Sequence, residues 1–411
     1  MISWLQPLAA LDRRQRAAVV ASFLGWTLDA FDFFLVVFVL RDIAATFHRD
    51  VPAVTVALLA TLALRPLGAL IFGRLADRHG RRPVLIWNLV FFSLAELASA
   101  GAPTLSIFIA VRALYGVGMG GEWGVGASLA METIPATARG LVSGLLQQGY
   151  AVGYLFAALA YWGLFGLLGW RGMIALGVAP ALLVLYIRRR VEESPAFREG
   201  GPAHEGLGRL LADHWKLFLS VVALMTGFNL LSHGTQDLYP TFLQAQRHLD
   251  PQRVGLVAIV YNVGAIAGGL VFGTLSERLG RRRAIALAAV LSLAALPFWA
   301  FGHSLPVLAA GAFALQFMVQ GAWGVVPAHL NELSPPGARG TFPGLAYQLG
   351  NLLASANAPL QAALAARAGG DYARVLTTET AIVAVALAAL ALLGREARGR
   401  AMDAGGTAVA S

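Results

Sequence analysis

The chain has 411 residues, of which 57% are hydrophobic and only 13% are charged, and its formal net charge is +9 at pH 7. Because soluble proteins contain roughly a quarter charged residues, this composition excludes an ordinary soluble fold and indicates that most of the chain faces lipid. The chain has no cysteine, which excludes disulfides and thiolate metal sites.

Twelve apolar segments have the length of about 20 residues that a helix needs to cross a bilayer. We therefore expect an all-α membrane protein with two six-helix bundles, at 1–188 and 215–394, a cytoplasmic linker at 189–214 and a disordered cytoplasmic tail at 395–411. The predicted spans, numbered 1 to 12, are 17–40, 53–75, 83–101, 103–129, 139–164, 171–188, 216–243, 252–275, 283–302, 304–330, 340–365 and 371–394.

The basic residues are distributed unevenly between the two ends of these spans. Of the 31 Lys and Arg, 22 fall on the side of the N-terminus and 7 on the opposite side, while Arg65 and Arg112 lie within spans. An excess of Lys and Arg in short loops marks the cytoplasmic side. We therefore expect a bacterial inner-membrane protein with both termini in the cytoplasm, and we interpret the positive charge as a topology signal rather than a nucleic-acid footprint.

Span 1 contains two carboxylates, Asp29 and Asp32, which lie three residues apart on one helix face. An ionisable residue at the centre of a membrane helix costs about 2.5–3.5 kcal/mol or more, so each one calls for a reason. Two carboxylates this close do not both ionise readily, which makes the pair a candidate proton site. The alternative is that one aspartate pairs with Arg65 or Arg112.

Span 2 contains Arg65, directly before Pro66. A guanidinium is a planar fork that binds both oxygens of a carboxylate, so Arg65 is a candidate ligand for a carboxylate substrate. The alternative is a permanent ion pair with Asp29 or Asp32. The cost of an unpaired charge in the membrane favours the substrate role.

Spans 4, 5 and 11 contribute further polar candidates. Glu122, in the glycine-rich part of span 4, is a second candidate proton carrier that Arg112 could modulate; a structural role at a crowded helix interface is the alternative. Gln148 in span 5 and Gln348 in span 11 are candidate substrate ligands, although most such side chains form interhelical hydrogen bonds. Glu96 in span 3 has no assigned role.

Span 7 has the longest polar pattern. Its polar side chains recur at i, i+3, i+4, i+7, i+8 and i+12, which predicts one stripe along one helix face. Lipid would leave these groups unpaired, so the stripe must face a cavity. We assign Asn229, His233 and Gln236 to substrate binding and Asp237 to proton binding. The members of the stripe are Asn229, Ser232, His233, Gln236, Asp237 and Thr241.

Two loop sequences recur 200 residues apart, which indicates an internal duplication. The segment 73–82 returns as 273–282, and the Glu, Pro, Arg and Gly positions of 132–140 return in 332–340. Each copy contains several long apolar segments, so the duplication predicts a two-fold pseudo-symmetric membrane transporter.

The loop Gly-x-x-x-Asp-Arg-x-Gly-Arg-Arg between spans 2 and 3 resembles the signature loop of the major facilitator superfamily. Its second copy, the Glu-Ser-Pro at Ser194 and the Arg112-x-x-x-Gly116-x-x-x-Gly120 pattern agree with that family, so the resemblance covers nearly the whole chain. The resemblance implies a cytoplasmic latch that forms when the transporter faces outward. The alternative is that the arginines only fix the orientation of the chain in the membrane, and we favour this alternative for Arg281–Arg283. The predicted latch residues are Asp77, Arg81, Glu132, Arg139, Glu277, Arg281, Glu332 and Arg339.

The span-7 pattern resembles, residue for residue, the Asn-x-x-Ser-His-x-x-Gln-Asp-x-x-x-Thr signature of Jen-type lactate/pyruvate–proton symporters. The Trp-Thr-Leu-Asp-Ala-Phe-Asp-Phe-Phe run of span 1 looks like the related sialate–proton symporters. The resemblance implies that Arg65 binds the substrate carboxylate and that Gln348 influences substrate choice. A compact pocket rimmed by Phe31, Phe33, Phe34 and Tyr239 would suit a substrate as small as lactate.

The sequence therefore predicts a monomeric proton-coupled symporter that imports small monocarboxylates such as L-lactate or pyruvate. We expect no cofactor besides the proton as coupling ion, no metal site and no catalytic residue. Two alternatives remain open at this point. One is a proton symporter for a larger organic acid, such as sialic or an aromatic acid, and the other is a ligand sensor that does not transport.

Overall fold

The computed structural model describes residues 6–203 and 205–402, and this part of the chain is helical throughout, without a strand. The first six spans comprise Arg13–Phe38, Val51–His79, Arg81–Ala100, Leu105–Thr133, Arg139–Gln147 with Gly149–Ala175, and Ala179–Arg190. The second six comprise Trp215–Gln236, Pro251–Leu279, Arg281–Phe301, Leu305–Trp323 with Val326–Leu333, Phe342–Ala354 with Asn357–Arg367, and Tyr372–Leu393. Shorter α-helices lie between them at Gln6–Ala9, Leu40–Thr46, Pro195–Gly200, Leu207–Asp213 and Tyr239–Ala245.

Ten helices of the described chain are long and apolar enough to cross a membrane by themselves, and the two missing from the predicted twelve have local causes. Spans 5 and 6 run together over Ala136–Arg190, where the left-handed backbone of Gly169 (φ 58°) turns the chain between them. Span 11 is divided between Ala354 and Asn357 into two helices of 13 and 11 residues. When spans 5 and 6 are counted separately and the two helices of span 11 are counted as one span, the described chain has the predicted twelve spans.

Span 7 is shorter than predicted. Its helix ends at Gln236, and a second helix, Tyr239–Ala245, follows after a break. The break lies at Asp237 and Leu238, and Pro240 occupies the first turn of the second helix, where its missing N–H costs no helical hydrogen bond. Thr241 therefore lies beyond the break, and the prediction that it shares one helix face with Asn229 is wrong.

Each half of the protein packs around its own apolar core. The first core contains Leu89, Phe92 and Tyr115, and the second contains Phe228 and Trp299. Many large apolar side chains point outward instead and are exposed. Such a contiguous apolar exterior is expected of a surface that contacts membrane lipid. Among these side chains are Leu59, Leu94, Trp162, Ile259, Ile382 and Leu393.

The two halves meet closely on one side of the membrane, where the linker also lies; we call it the linker side. Here glycines bring backbones of opposite halves together. A Cβ atom on Gly144 would overlap the backbone of Gly269, and one on Gly73 would overlap the backbone at Gly340 and Thr341. Span 5 therefore crosses span 8, and span 2 crosses span 11, at a distance that only small residues allow.

The linker and the first part of the tail cover the linker side. Ser194 caps the helix Pro195–Gly200 by accepting from Phe197 N (3.2 Å), and its hydroxyl donates to Glu132 Oε2 (2.6 Å). In the second half, Glu396 Oε2 accepts from the backbone N–H of Arg282 (3.1 Å).

The tail also joins the two halves. Arg139 of the first half donates to the carbonyl of Arg400 (2.7 Å), and Met402 is buried in an apolar cluster with Leu11 and Ile134. The prediction of a disordered tail from residue 395 is therefore wrong for 395–402, because backbone and side chains of this segment have partners in both halves. The remainder of the predicted tail, 403–411, lies outside the described residues.

A Gly144→Val substitution tests the contact between the halves. The added side chain meets the Gly269 backbone, and overpacking of this kind costs about 1–3 kcal/mol. We expect the apparent unfolding temperature of the purified protein to fall by several degrees. Gly163→Val is the matched control, because a Cβ atom on Gly163 meets no atom within 4 Å. Equal unfolding temperatures for the two variants would show that the glycine contact contributes nothing to stability.

Candidate functional site

The two aspartates of span 1 lie inside the first half. Asp29 and Asp32 are both 0% exposed, and their four carboxylate oxygens have no hydrogen-bond partner in the described part of the chain. The Tyr115 hydroxyl donates to the backbone carbonyl of Asp29 (3.2 Å), not to its side chain. Gly177 of span 6 leaves the space that Asp32 and Glu96 occupy. Span 1 therefore presents two carboxylates that are removed from water and have no counter-charge in contact.

Arg112 does not supply that counter-charge, because it pairs with Glu96. Its Nη1 atom donates to Glu96 Oε2, both side chains are fully buried, and the guanidinium lies 3.8 Å from the centroid of the Tyr115 ring. Glu96 therefore has a structural partner that the sequence left unassigned. The sequence does contain a signal for this ion pair, because Glu96 and Arg112 carry opposite charges at similar depths of the consecutive antiparallel spans 3 and 4.

Arg65 is buried as well, at 4% exposure, and its Nε and Nη2 atoms have no hydrogen-bond partner among the described residues. No carboxylate of the described chain lies within ion-pair distance of Arg65, so the permanent pair with Asp29 or Asp32 is not formed. The Tyr347 hydroxyl adjoins the guanidinium. Gly120 of span 4 lets the backbone of span 2 approach at Arg65 within the first half, and the contact with Tyr347 of span 11 places the Arg65 side chain at the interface of the halves.

Glu122 is the third unpaired carboxylate. It is fully buried, and neither oxygen has a partner in the described structure. The side chain lies against Gly25, where a Cβ atom would overlap it, and it lines a small cavity together with Trp26, Trp123 and Pro327. Pro327 belongs to the second half, so Glu122 lies where the two halves meet.

An aromatic cluster surrounds the Tyr347 ring at this interface. The ring centroid of Tyr347 lies 4.8 Å from that of Trp123, 5.6 Å from that of Trp323 and 6.5 Å from that of Trp26. Tyr150 lies 5.5 Å from Trp26. Trp123 and Trp323 are related by the 200-residue repeat, so both halves close this cluster around Tyr347 in the same way.

The aromatic residues that the sequence proposed as a pocket rim lie mostly elsewhere. Tyr239 stacks on Trp299 (4.8 Å) and donates to its carbonyl (3.0 Å) inside the second core. Phe31 and Phe33 are buried in the cores of the first half. That prediction is wrong for these three residues, because periodicity alone does not distinguish a core-facing aromatic from a cavity-facing one.

Span 7 is connected to its neighbours through the predicted stripe. His233 lies between Asp237 (Nδ1 to Oδ1, 3.3 Å) and Asn351 of span 11 (Nε2 to Oδ1, 3.3 Å). Gln236 donates to the Ser232 hydroxyl (2.9 Å). The side chains of His233 and Asp237 are 41% and 39% exposed, so the end of span 7 away from the linker side is open to solvent.

Asn229 lies deeper and bonds within its own helix, from Nδ2 to the Met225 carbonyl (2.7 Å). The sequence analysis missed Gln316 and Gln320 of span 10. Gln316 donates to the Thr235 hydroxyl (3.0 Å), and Gln320 donates to the Ser232 hydroxyl (3.2 Å). The repeat places these two glutamines at the positions of Gly116 and Gly120, so it gives no sign of a polar side chain, and only the structure brings them to span 7.

The candidate glutamines Gln148 and Gln348 occupy repeat-related positions and are both buried. Gln148 donates weakly to the Gly144 carbonyl (3.4 Å), and its amide lies against Gly269 of the second half. Both amide atoms of Gln348 lack a partner within the described structure. The interhelical hydrogen bonds that would make these glutamines purely structural are therefore largely unformed.

The predicted latch residues form two repeat-related sets of contacts on the linker side. Asp77 of the first half accepts from Gly340 N (2.7 Å), Thr341 N (3.0 Å) and the Thr341 hydroxyl (2.6 Å). Glu277 of the second half accepts from Gly140 N (2.5 Å). Each carboxylate thus binds backbone N–H groups at the start of a span in the opposite half, where the helix dipole favours negative charge.

Ion pairs reinforce these contacts. Arg81 pairs with Glu132 (2.8 Å), and the repeat-related Arg281 pairs with Glu332 (2.9 Å), which Arg139 also approaches (3.6 Å). Arg281 is fully buried, so the explanation of this residue by topology alone is wrong.

Arg139 and the repeat-related Arg339 both donate to carbonyls of the tail, of Arg400 (2.7 Å) and Met402 (2.5 Å). The symmetry ends there, because within the described residues Arg139 approaches Glu332 but Arg339 forms no ion pair with Glu132. Burial lowers the pKa of Arg339 to about 10. These contacts join the two halves on the linker side, whereas His233 lies toward the opposite side.

Comparison with known proteins agrees with this architecture. Residues 21–236 and 238–408 match the family model of the Major Facilitator Superfamily. The chain is 32% identical over 413 residues to the carboxylic acid transporter protein homolog of Saccharomyces cerevisiae, covering 91% of this chain and 67% of the relative. It is 29% identical over 385 residues to the sialic acid transporter NanX of Escherichia coli, covering 92% of this chain and 93% of the relative.

Among solved structures, the proton:xylose symporter XylE is similar with a TM-score of 0.74 at 18% sequence identity, covering 94% of this chain and 97% of that chain. At this identity the likeness concerns the fold alone. The family match extends over nearly the whole chain, and the twelve spans form two repeat-related halves. The chain is therefore a multi-pass membrane transporter, not an enzyme, and belongs to the major facilitator superfamily.

Proposed function

We propose that this transporter is a proton-coupled symporter for a small monocarboxylate, with L-lactate or pyruvate as the favoured substrate. The observation that supports this most directly is the unpaired guanidinium of Arg65 at the interface of the halves. A buried charge without a partner is costly, so the site favours an anion of matching geometry. A carboxylate matches the planar fork of Arg65, and the relatives named above are transporters of carboxylic acid and sialic acid.

The surroundings of Arg65 support a compact substrate. Tyr347 adjoins the guanidinium, and the tryptophan cluster encloses the Tyr347 ring from both halves. A flat apolar enclosure beside one guanidinium suits a short acid with few hydroxyl groups. Gln348 provides a free amide group for the hydroxyl or keto oxygen of lactate or pyruvate, and the amide of Gln148 makes only a weak bond to the Gly144 carbonyl (3.4 Å).

The proton would be bound by the buried carboxylates. Asp29, Asp32 and Glu122 are unpaired in a low-dielectric interior, where an ionised carboxylate is costly unless a positive charge lies nearby. Asp29 and Glu122 lie close enough to Arg65 for their charges to interact with it. When the substrate carboxylate pairs with Arg65, the guanidinium no longer stabilises an ionised aspartate. Substrate binding therefore favours proton uptake, and the loaded site has no net excess of charge when the halves move.

Span 7 would provide the entrance. His233 and Asp237 are solvent-accessible on the side opposite the linker, and the charge of His233 interacts with that of Arg65. We assign the linker side to the cytoplasm from the distribution of Arg and Lys. In this assignment the latch around Asp77 and Glu277 closes the cytoplasmic side while substrate enters from outside. Release of the substrate would require those contacts to break, as in rigid-body alternating access.

Uptake of labelled L-lactate into proteoliposomes, with and without an inward proton gradient, tests the proposal. We expect uptake that the gradient stimulates and that a protonophore abolishes. Protein that accumulates sialate or an aromatic acid, but no lactate or pyruvate, would replace the favoured substrate with a larger organic acid. Ligand binding without any accumulation would reject symport.

Substitution Arg65→Lys tests the carboxylate site. Lysine retains the charge but lacks the bidentate fork, so we expect lactate uptake to fall by at least about tenfold, which corresponds to about 1.4 kcal/mol. Arg253→Lys is the matched control, because Arg253 is exposed and pairs with Asp250 near the membrane surface. Normal uptake by the Arg65 variant would assign this residue to structure instead of substrate binding.

Substitutions at the end of span 7 test the entrance and the coupling. We expect Asp237→Asn to abolish gradient-driven accumulation, because the amide cannot take up a proton at the entrance and pass it to the buried carboxylates, and His233→Ala to raise the KM for lactate. Initial rates and accumulation ratios separate the two effects. Asp250→Asn, at an exposed carboxylate outside the cavity, is the control. Unchanged accumulation in both span-7 variants would exclude this segment from the mechanism.

A further inference from the structure

A fourth unpaired carboxylate, Glu379, lies in span 12 of the second half. Both of its oxygens are enclosed and lack a hydrogen-bond partner in the described residues. Gly234 of span 7 provides the space for it, since a Cβ atom there would lie 3.1 Å from Glu379 Oε1. The same Cβ atom would lie 3.4 Å from the amide nitrogens of both Asn357 and Gln361 in span 11. Three polar side chains from two spans thus converge on one glycine.

Gly234 is also the point at which the span-7 helix loses its regular hydrogen bonds. Asp237 N–H makes the last helical bond, to the His233 carbonyl (3.0 Å), before the break at Asp237 and Leu238. The Gly234 carbonyl, which is next in line, accepts from Gln361 Nε2 (3.1 Å). The amide of Gln361 therefore holds the end of span 7 while it also faces the Glu379 carboxyl.

The charged groups around Glu379 do not neutralise it. On span 7, His233 and Asp237 flank Gly234 and pair with each other (3.2 Å). Span 11 faces it with the neutral amides of Asn357 and Gln361. The charged residues of the spans packed against it, and of span 12 itself, lie at helix ends: Arg281–Arg283, Arg367, Asp371 and Arg374.

We propose that Glu379 is a proton-binding positioning residue that controls the end of span 7, an inference that rests on the proton-coupled function proposed above. A neutral carboxyl leaves the Gln361 amide on the Gly234 carbonyl, as in this structure. An ionised carboxylate is the stronger acceptor and draws the amides of Gln361 and Asn357 to itself. Deprotonation then releases the Gly234 carbonyl and loosens the segment that presents His233 and Asp237.

Cysteine labelling tests this mechanism without any substrate, because the chain contains no native cysteine. Gln244→Cys places an exposed thiol on the segment after the break, and Gln252→Cys places an exposed reference thiol at the start of span 8. The ratio of their labelling rates with a membrane-impermeant maleimide corrects for thiol ionisation across a pH series. We expect this ratio to rise with pH by at least about fivefold, the lower end of measured couplings between sites.

Two further variants identify the group responsible. In Glu379→Gln the ratio should stay at its low-pH value, because the neutral amide cannot ionise. In Gln361→Leu it should stay at its high-pH value, because the Gly234 carbonyl has lost its donor. Glu199→Gln, in the exposed part of the linker, is the control and should retain the full pH dependence.

A ratio that is constant with pH in the starting protein, or an unaltered pH dependence in Glu379→Gln, would overturn the inference. Neither result depends on lactate. Protein that accumulates lactate but labels independently of pH would overturn only this role of Glu379. Protein that labels as expected but accumulates no acid would reject the proposed symport and keep Glu379 as a pH-dependent element.

Discussion

The structure depends on the contact between its two halves on the linker side. Glycines allow backbones of opposite halves to touch, and Asp77 and Glu277 each accept backbone N–H groups across the interface. The two halves therefore remain in contact here while the carboxylates of Asp77 and Glu277 keep their hydrogen bonds to the N–H groups at the starts of spans 11 and 5. These polar contacts are joined by an apolar cluster in which Leu11 and Ile134 of the first half pack with Ala328 of the second half and Met402 of the tail.

The second constraint is the cost of burying charge. Asp29, Asp32, Glu122 and Glu379 are carboxylates without a counter-charge in contact, and Arg65 is a guanidinium without a carboxylate. The Arg112–Glu96 pair shows the ordinary structural solution, in which each charge has its partner. The unpaired groups are the exception. Arg65 and Glu122 lie where the two halves meet, whereas Asp29 and Asp32 lie within the first half and Glu379 lies within the second. The lack of a counter-charge is the reason why we connect these groups with substrate and proton.

The two duplicated halves contribute different kinds of polar residue to the central site. Positions that are Asp29, Arg65 and Glu122 in the first half are Asn229, Ala265 and Ala322 in the second. The first half therefore contains the charged part of the central site. The second half provides amides, His233 and a broken span 7, which are suited to orienting a ligand and to moving. Glu379 also belongs to the second half, and its protonation would act on the movable end of span 7 and not on the ligand itself.

The sequence by itself determined the twelve spans, the duplication and the identity of most polar residues at the interface of the halves. The length of an apolar segment and a repeat with a constant offset of 200 residues can both be recognised in the sequence without a structure.

Only the tertiary structure decided which charges have partners. From the sequence alone, Arg112 could form an ion pair with Asp29 or Asp32 or modulate Glu122. Helix packing places its guanidinium against Glu96 instead. The same holds for the break of span 7 before Pro240, for Gln316, for the tail segment 395–402 and for the convergence of Glu379 and Gln361 on Gly234. Pairing depends on depth, rotation and crossing angle of neighbouring helices, and these are set by contacts between residues far apart in the chain, which no local pattern encodes.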